Sequence, residues 1–72
     1  MNFTLDIFIN GRKYNLKIKK YITLQQIIKF LYGKNKNLVL EYNKKIIKEN
    51  MWKHIYVTSN DSIEILTIVG GG

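Results

Sequence analysis

The sequence predicts an α+β domain in which a mixed sheet of about five strands wraps one helix. Three observations carry that expectation. Apolar and polar residues alternate over 2–10 and again from Tyr14 to Lys19. The period becomes helical between Thr23 and Tyr32. It then returns to two in shorter runs, the last being Ser62 to Val69. Period two marks a strand with one covered face, and a period near 3.6 marks an amphipathic helix.

In the first strand, Phe3, Leu5, Ile7 and Ile9 form one side against Asn2, Thr4, Asp6 and Asn10. Asn10-Gly11 is a strong two-residue hairpin signal, because both residue types accept the positive φ of a type I′ turn. The return strand sets Tyr14, Leu16 and Ile18 against Lys13, Asn15, Lys17 and Lys19. Thr23 and Gln26 then have the spacing of a capping box, with Ile22 and Ile27 at the staple positions around it. Leu24, Ile27, Ile28 and Leu31 share one helical face and Lys29 lies off it. Gly33 falls where a left-handed residue ends a helix, so the helix is expected over 24–32. Beyond the polar connection Lys34 to Asn37, a third strand runs from Leu38 to Tyr42. Asn43-Lys44 turns it into a short strand around Lys45-Ile46-Ile47. Residues Glu49 to His54 read as an irregular or single-turn segment, and Thr58-Ser59-Asn60-Asp61 as a turn cluster before the last strand.

The order β-β-α-β-β-β is met by placing the last strand in parallel beside the first, in the middle of the sheet. That is the β-grasp, or ubiquitin-like, arrangement. A ferredoxin-like fold would want a second helix before the last strand. The predicted domain is 1–69, followed by a flexible glycine tail, 70–72. Three glycines with no Cβ make a thin tail that can thread a channel too narrow for other side chains. A carboxylate at its tip suits delivery to an enzyme.

Composition narrows the chemistry. The 72 residues hold no cysteine, so there is no disulfide, no thiolate metal site and no catalytic thiol. His54 is the single histidine, which excludes a His-rich metal cluster. Asp6, Glu41, Glu49, Asp61 and Glu64 include no pair set for acid–base work, so the chain is not expected to be an enzyme. Tyr42 and Trp52 read as packing residues. No run reaches the ~18 apolar residues of a membrane span, and no leader or transit pattern opens the chain. A soluble protein of a plastid stroma or a bacterial cytoplasm is expected. The net charge of +7 rests almost wholly on lysine. The chain has twelve Ile, eleven Lys and eight Asn but no Ala or Pro, the pattern of an A/T-rich genome. With lysines spread along the chain, much of the charge reads as codon drift and not as a nucleic-acid site.

The second half resembles the ThiS family of sulfur carriers from thiamine thiazole synthesis. The resemblance lies in Leu38-Val39-Leu40-Glu41-Tyr42-Asn43-Lys44-Lys45-Ile46-Ile47, then Trp52, then Asn60-Asp61-Ser62-Ile63-Glu64-Ile65-Leu66, then Val69-Gly70-Gly71-Gly72. The family pattern has Asn at the hairpin, Trp beyond the short strand, Gly-Asp before the last strand and a Gly-Gly end. Three departures stand out. Asn60 replaces the Gly, Lys48-Glu49 replaces a common Pro-Arg pair, and the chain is basic where many carriers are acidic.

The resemblance implies a protein whose Gly72 carboxylate is adenylylated by a ThiF-type enzyme. It is then converted to a thiocarboxylate with sulfur from a donor such as a cysteine desulfurase. The sulfur passes to a ThiG-type thiazole synthase. No cofactor is bound, and ATP is used by the activating partner. Gly70 and Gly71 thread the tail, Gly72 carries the sulfur, and the chain is expected to be a monomer when free. Alternation allows a partner-binding patch of Leu66, Ile68 and Val69, extended by Ile47. Other classes stay open: a molybdopterin or tRNA-thiolation carrier, a ubiquitin-like modifier, or a small basic nucleic-acid-binding domain.

Overall fold

The computed structural model describes residues 3–34 and 37–68. Strands β1 (Phe3–Ile9) and β2 (Arg12–Ile18) form the first hairpin, closed by Asn10 and Gly11 at φ 52° and 79°. Helix α1 (Leu24–Tyr32) follows. Next come β3 (Leu38–Tyr42), β4 (Lys45–Ile47), a 3₁₀ helix (Glu49–His54) and β5 (Ser62–Thr67). The sheet order is β2-β1-β5-β3-β4. Strand β5 is therefore central, parallel to β1 at Phe8–Ser62 and Ile9–Ile63, and antiparallel to β3 from Leu38–Thr67 to Tyr42–Ile63. This is the expected β-grasp, with the last strand where the sequence put it.

The helix starts as its sequence dictates. The Thr23 hydroxyl accepts from the Gln26 N–H at 3.2 Å, and the Thr23 N–H donates to Gln26 Oε1 at 2.8 Å. Both are donors that a helix start would leave unmet. The same end is tied to the 55–57 segment: the Leu24 N–H donates to the Ile55 carbonyl, and the Val57 N–H to that of Ile22. Leu24, Ile27 and Ile28 are buried on the sheet with Ile7, Ile9, Leu40, Ile63 and Ile65. Trp52 closes one end of this core, its indole N–H donating to the Ile47 carbonyl at 3.0 Å. His54 is exposed.

Three expectations need correction. Leu31, expected in the buried stripe, is 41% exposed, because it borders the open groove between the helix and β2, with Tyr14 and Leu16 across from it. Phe3 has the inward parity of Leu5 and Ile7 but sits at the strand end, where the described residues leave it 52% exposed. Gly33 ends the helix at positive φ as expected, with its N–H on the Lys29 carbonyl. Its ψ of −127° lies outside the left-handed helical basin, however, and matches the first central position of a type II′ turn.

Candidate docking face and tail base

Strand β5 alternates strictly at its start: Ile63 and Ile65 are buried, while Ser62 and Glu64 are exposed. The same parity turns Leu66 outward. Leu66 is 62% exposed and Ile68, one step past the strand, 53%. Register brings half-buried Val39 of β3 opposite Leu66, and places Ile46 of β4 opposite Glu41 on the same outer face. Ile46 is 70% exposed. The outer face thus presents Ile46, Leu66 and Ile68 around Val39, rimmed by Glu41 and Glu64. A group of exposed apolar side chains with a polar rim has the composition of a docking surface.

Ile47 does not belong to it. It pairs with fully buried Leu40 and packs against the core. The outward residue of that strand is its neighbour. A signal for this lay in the sequence. A two-residue turn at Asn43-Lys44, both at positive φ, forces Tyr42 opposite Lys45 and so Leu40 opposite Ile47.

The base of the tail is held from both sides. Where β1 has ended, the Asn10 side chain continues its ladder. Asn10 Oδ1 accepts the Ile65 N–H at 2.7 Å, and its Nδ2 donates to the Ile65 carbonyl at 3.3 Å. Across β5, the Ile68 N–H donates to the Asn37 carbonyl at 2.7 Å, extending the β3 ladder past the strand end. Asn10 was legible as a turn residue. Its second role, as a side-chain clamp on a strand 55 positions away, leaves no periodic signal. Val69 of the predicted patch and Gly70, Gly71 and Gly72 of the predicted tail lie outside the described residues.

The start of β5 is fixed by Asp61, a buried carboxylate. Its Oδ2 accepts from the Thr58 N–H at 2.7 Å, the Thr58 hydroxyl at 3.1 Å and the Tyr42 phenol. Its Oδ1 accepts from Asn43 Nδ2 at 3.2 Å, while Asn43 Oδ1 accepts the Ser62 N–H at 2.8 Å. Burial opposes ionisation of Asp61. The four bonds outweigh it and hold the carboxyl below its ordinary range. Burial, then the bond to Asp61, pushes the Tyr42 phenol up to about 12. Through these bonds the cluster ties the turn before β5 to the β3–β4 turn. Asn60 takes φ 69°, so it serves the turn as a glycine would. Among the described residues no group of His, Cys, Asp or Glu could hold a metal ion, and no helix is long and apolar enough to cross a membrane.

A central strand clamped at its exit, beside an exposed apolar face, defines a small ubiquitin-like β-grasp protein. The ThiS family model matches residues 7–72, and the chain belongs to that family. It is similar to an uncharacterized protein ycf40 of Trieres chinensis, 42% identical over 90% of this chain and 86% of that protein. A ycf40 protein of Porphyra purpurea is 31% identical over 100% of this chain and 99% of its own length. The sulfur carrier protein ThiS of Bacillus subtilis (strain 168) is 33% identical over 89% of this chain and 96% of that one. The fold matches the crystal structure of the thiamine biosynthesis protein ThiS from Geobacter metallireducens with a TM-score of 0.80. That match is at 17% identity and covers 94% of this chain and all of the other.

Proposed function

We propose that the chain is a sulfur carrier that is consumed and recharged by partner enzymes and performs no catalysis itself. The observation that carries this reading is the reach of the family match, which runs through Gly70-Gly71-Gly72. A carboxylate is a poor electrophile, so the Gly72 carboxylate must first be activated. A ThiF-type partner would use ATP to form the acyl-adenylate, releasing pyrophosphate and making AMP the leaving group. A persulfide sulfur, supplied by a donor such as a cysteine desulfurase, attacks that carbonyl and displaces AMP. A second thiol then cleaves the sulfur–sulfur bond, leaving the C-terminal thiocarboxylate. A thiazole synthase of the ThiG type accepts that sulfur. Gly70 and Gly71 offer no side chain to block a narrow partner channel, and Ile46, Leu66 and Ile68 supply the apolar contact that brings the tail to it. The likeness to algal ycf40 proteins supports a plastid as the compartment.

Intact mass spectrometry tests the proposal. After incubation with ATP, a ThiF-type enzyme and a sulfur donor, the chain should gain the mass of one oxygen replaced by sulfur. Deletion of Gly72 should abolish the gain. An unchanged mass, under conditions that charge the Bacillus subtilis carrier, would overturn it.

A further inference from the structure

The face opposite the docking patch holds a second apolar feature that sulfur carriage does not use. Between β2 and α1 lies an open groove of about 280 Å³ whose walls include Tyr14, Leu16 and Ile18 from the strand and Ile27, Phe30 and Leu31 from the helix. A further hollow at Arg12 and Tyr32 continues it past Tyr14 and Leu31 along the strand. Phe30 is 87% exposed, a large aromatic ring held in water on a rigid helix. Such a side chain buries little of its apolar surface in the free domain.

One wall of this groove is an unpaired strand edge. Among the described residues β2 ladders with β1 alone, from Ile18–Phe3 to Arg12–Ile9. In a two-residue hairpin the closing pair exchanges both main-chain hydrogen bonds and the pattern then alternates. The amides and carbonyls of Lys13, Asn15 and Lys17 therefore point away from β1. They offer a ladder to an added strand.

Charge selects what can add. Residues 12–34 hold seven of the twelve basic residues and none of the five acids, so the rest of the chain balances five against five. The whole net charge of +7 belongs to the segment that runs from β2 through α1 to Lys34, just past the helix. The lysines are spread along the chain as expected; the acids are not, and that segregation is what codon drift leaves unexplained. A second copy of this chain would bring the same positive charge to the same edge, which disfavours self-pairing. Nucleic acid would meet an apolar wall where its phosphates need donors.

We infer that the groove between β2 and α1 binds an extended apolar segment of a partner protein, flanked by acidic residues, which adds as a strand to the free edge of β2. Alternate side chains of the segment enter the groove against Phe30 and Leu31, and its acidic ends meet Arg12, Lys17, Lys19 and Lys20. The strand length accommodates a segment of about six residues. Among the described residues this groove shares no lining with the docking face of Ile46, Leu66 and Ile68, so both surfaces can be occupied together.

The test is a titration of the full ¹⁵N-labelled chain with a blocked peptide of alternating valine and isoleucine ending in aspartate and glutamate on both sides. Saturable amide shifts are expected in 12–18 and 24–32, with slowed exchange at Lys13, Asn15 and Lys17 and none at Leu66. Phe30→Ser should weaken binding about tenfold or more, as for one buried anchor. Lys17→Glu should weaken it too, and neither variant should alter the spectrum elsewhere. Deletion of Gly72 should leave peptide binding intact, so failure here and failure of the sulfur reading are distinguishable. No saturable shift at about 1 mM peptide overturns the inference. So does equal binding of polyglutamate, or tighter binding of a single-stranded oligonucleotide at these same residues.

Discussion

Gly33 illustrates how much a single backbone angle can carry. Its φ of 65° with ψ −127° is a basin that a Cβ penalises, yet nothing lies within 4 Å of where that Cβ would sit. The cost of Gly33→Ala is therefore strain alone, about 1–3 kcal/mol. Urea unfolding should show it as a lower midpoint at unchanged slope. Asp61 acts by charge. Because its folded pKa lies below the ordinary 3.8, the folded state keeps its carboxylate while the unfolded chain takes up a proton. The stability it contributes is complete above that value and is lost as pH falls from about 3.8 through the folded pKa. Tyr42 has the opposite sign. Raised from 10.0 to about 12, it contributes stability below pH 10 that disappears between the two values. Asp61→Asn should cost about 1.5–3 kcal/mol at neutral pH and flatten the acid limb, and Tyr42→Phe should flatten the alkaline limb. Acid and alkaline limbs identical to the parent's would show that the cluster does not set the pH range.

At the scale of elements, β4 separates folding from docking within two adjacent residues. Ile47 lies on the core side opposite Leu40 and Ile46 on the open side opposite Glu41. Ile47→Ala should lower stability by about 1–3 kcal/mol, less than a fully buried truncation because Ile47 is only half covered. Ile46→Ser should leave the unfolding midpoint within about 0.5 kcal/mol of the parent. If the proposed function holds, Ile46→Ser and Leu66→Ser should slow loading by the ThiF-type enzyme through KM. Ile47→Ala should leave loading unchanged at temperatures where it is folded. This pair also marks where sequence reading succeeds and stops. The strands, the capped helix and the central place of β5 follow from period and punctuation. In a three-residue strand period cannot choose a face, and only the register set at Asn43-Lys44 does so. The outward turn of Leu66 and Ile68 was open for a related reason, since a central strand can be covered on both sides. Here α1 covers one face, and nothing among the described residues covers the other. The clamp by Asn10 was beyond reach, because a side chain imitating a strand backbone across the fold leaves no local pattern.

For the whole molecule the decisive property is where the charge lies. A chain of this size without disulfides has a stability of about 4–10 kcal/mol, so repulsion of modest size is a visible fraction of it. Seven cations fall within 12–34 with no acid among them, and the one ion pair among the described residues, Lys13 with Asp6 at 3.7 Å, is exposed and weak. Repulsion along β2 and α1 must therefore oppose folding at low ionic strength. Salt screens exposed charges beyond about 10 Å at 0.1 M, which covers most separations across that face. The melting temperature should thus rise when sodium chloride is raised from about 10 mM to about 100 mM, the reverse of a protein held by surface ion pairs. Lys19→Glu should raise stability by up to about 1 kcal/mol at low salt, and the gain should fade as salt increases. Lys45→Glu, outside the cationic segment, should bring a smaller gain or none. A melting temperature that falls with salt would mean that attraction across the fold outweighs this repulsion. The acidic strand inferred for the β2 edge would then lose its electrostatic rationale, since the same uncompensated cations oppose folding in the free chain and attract the partner.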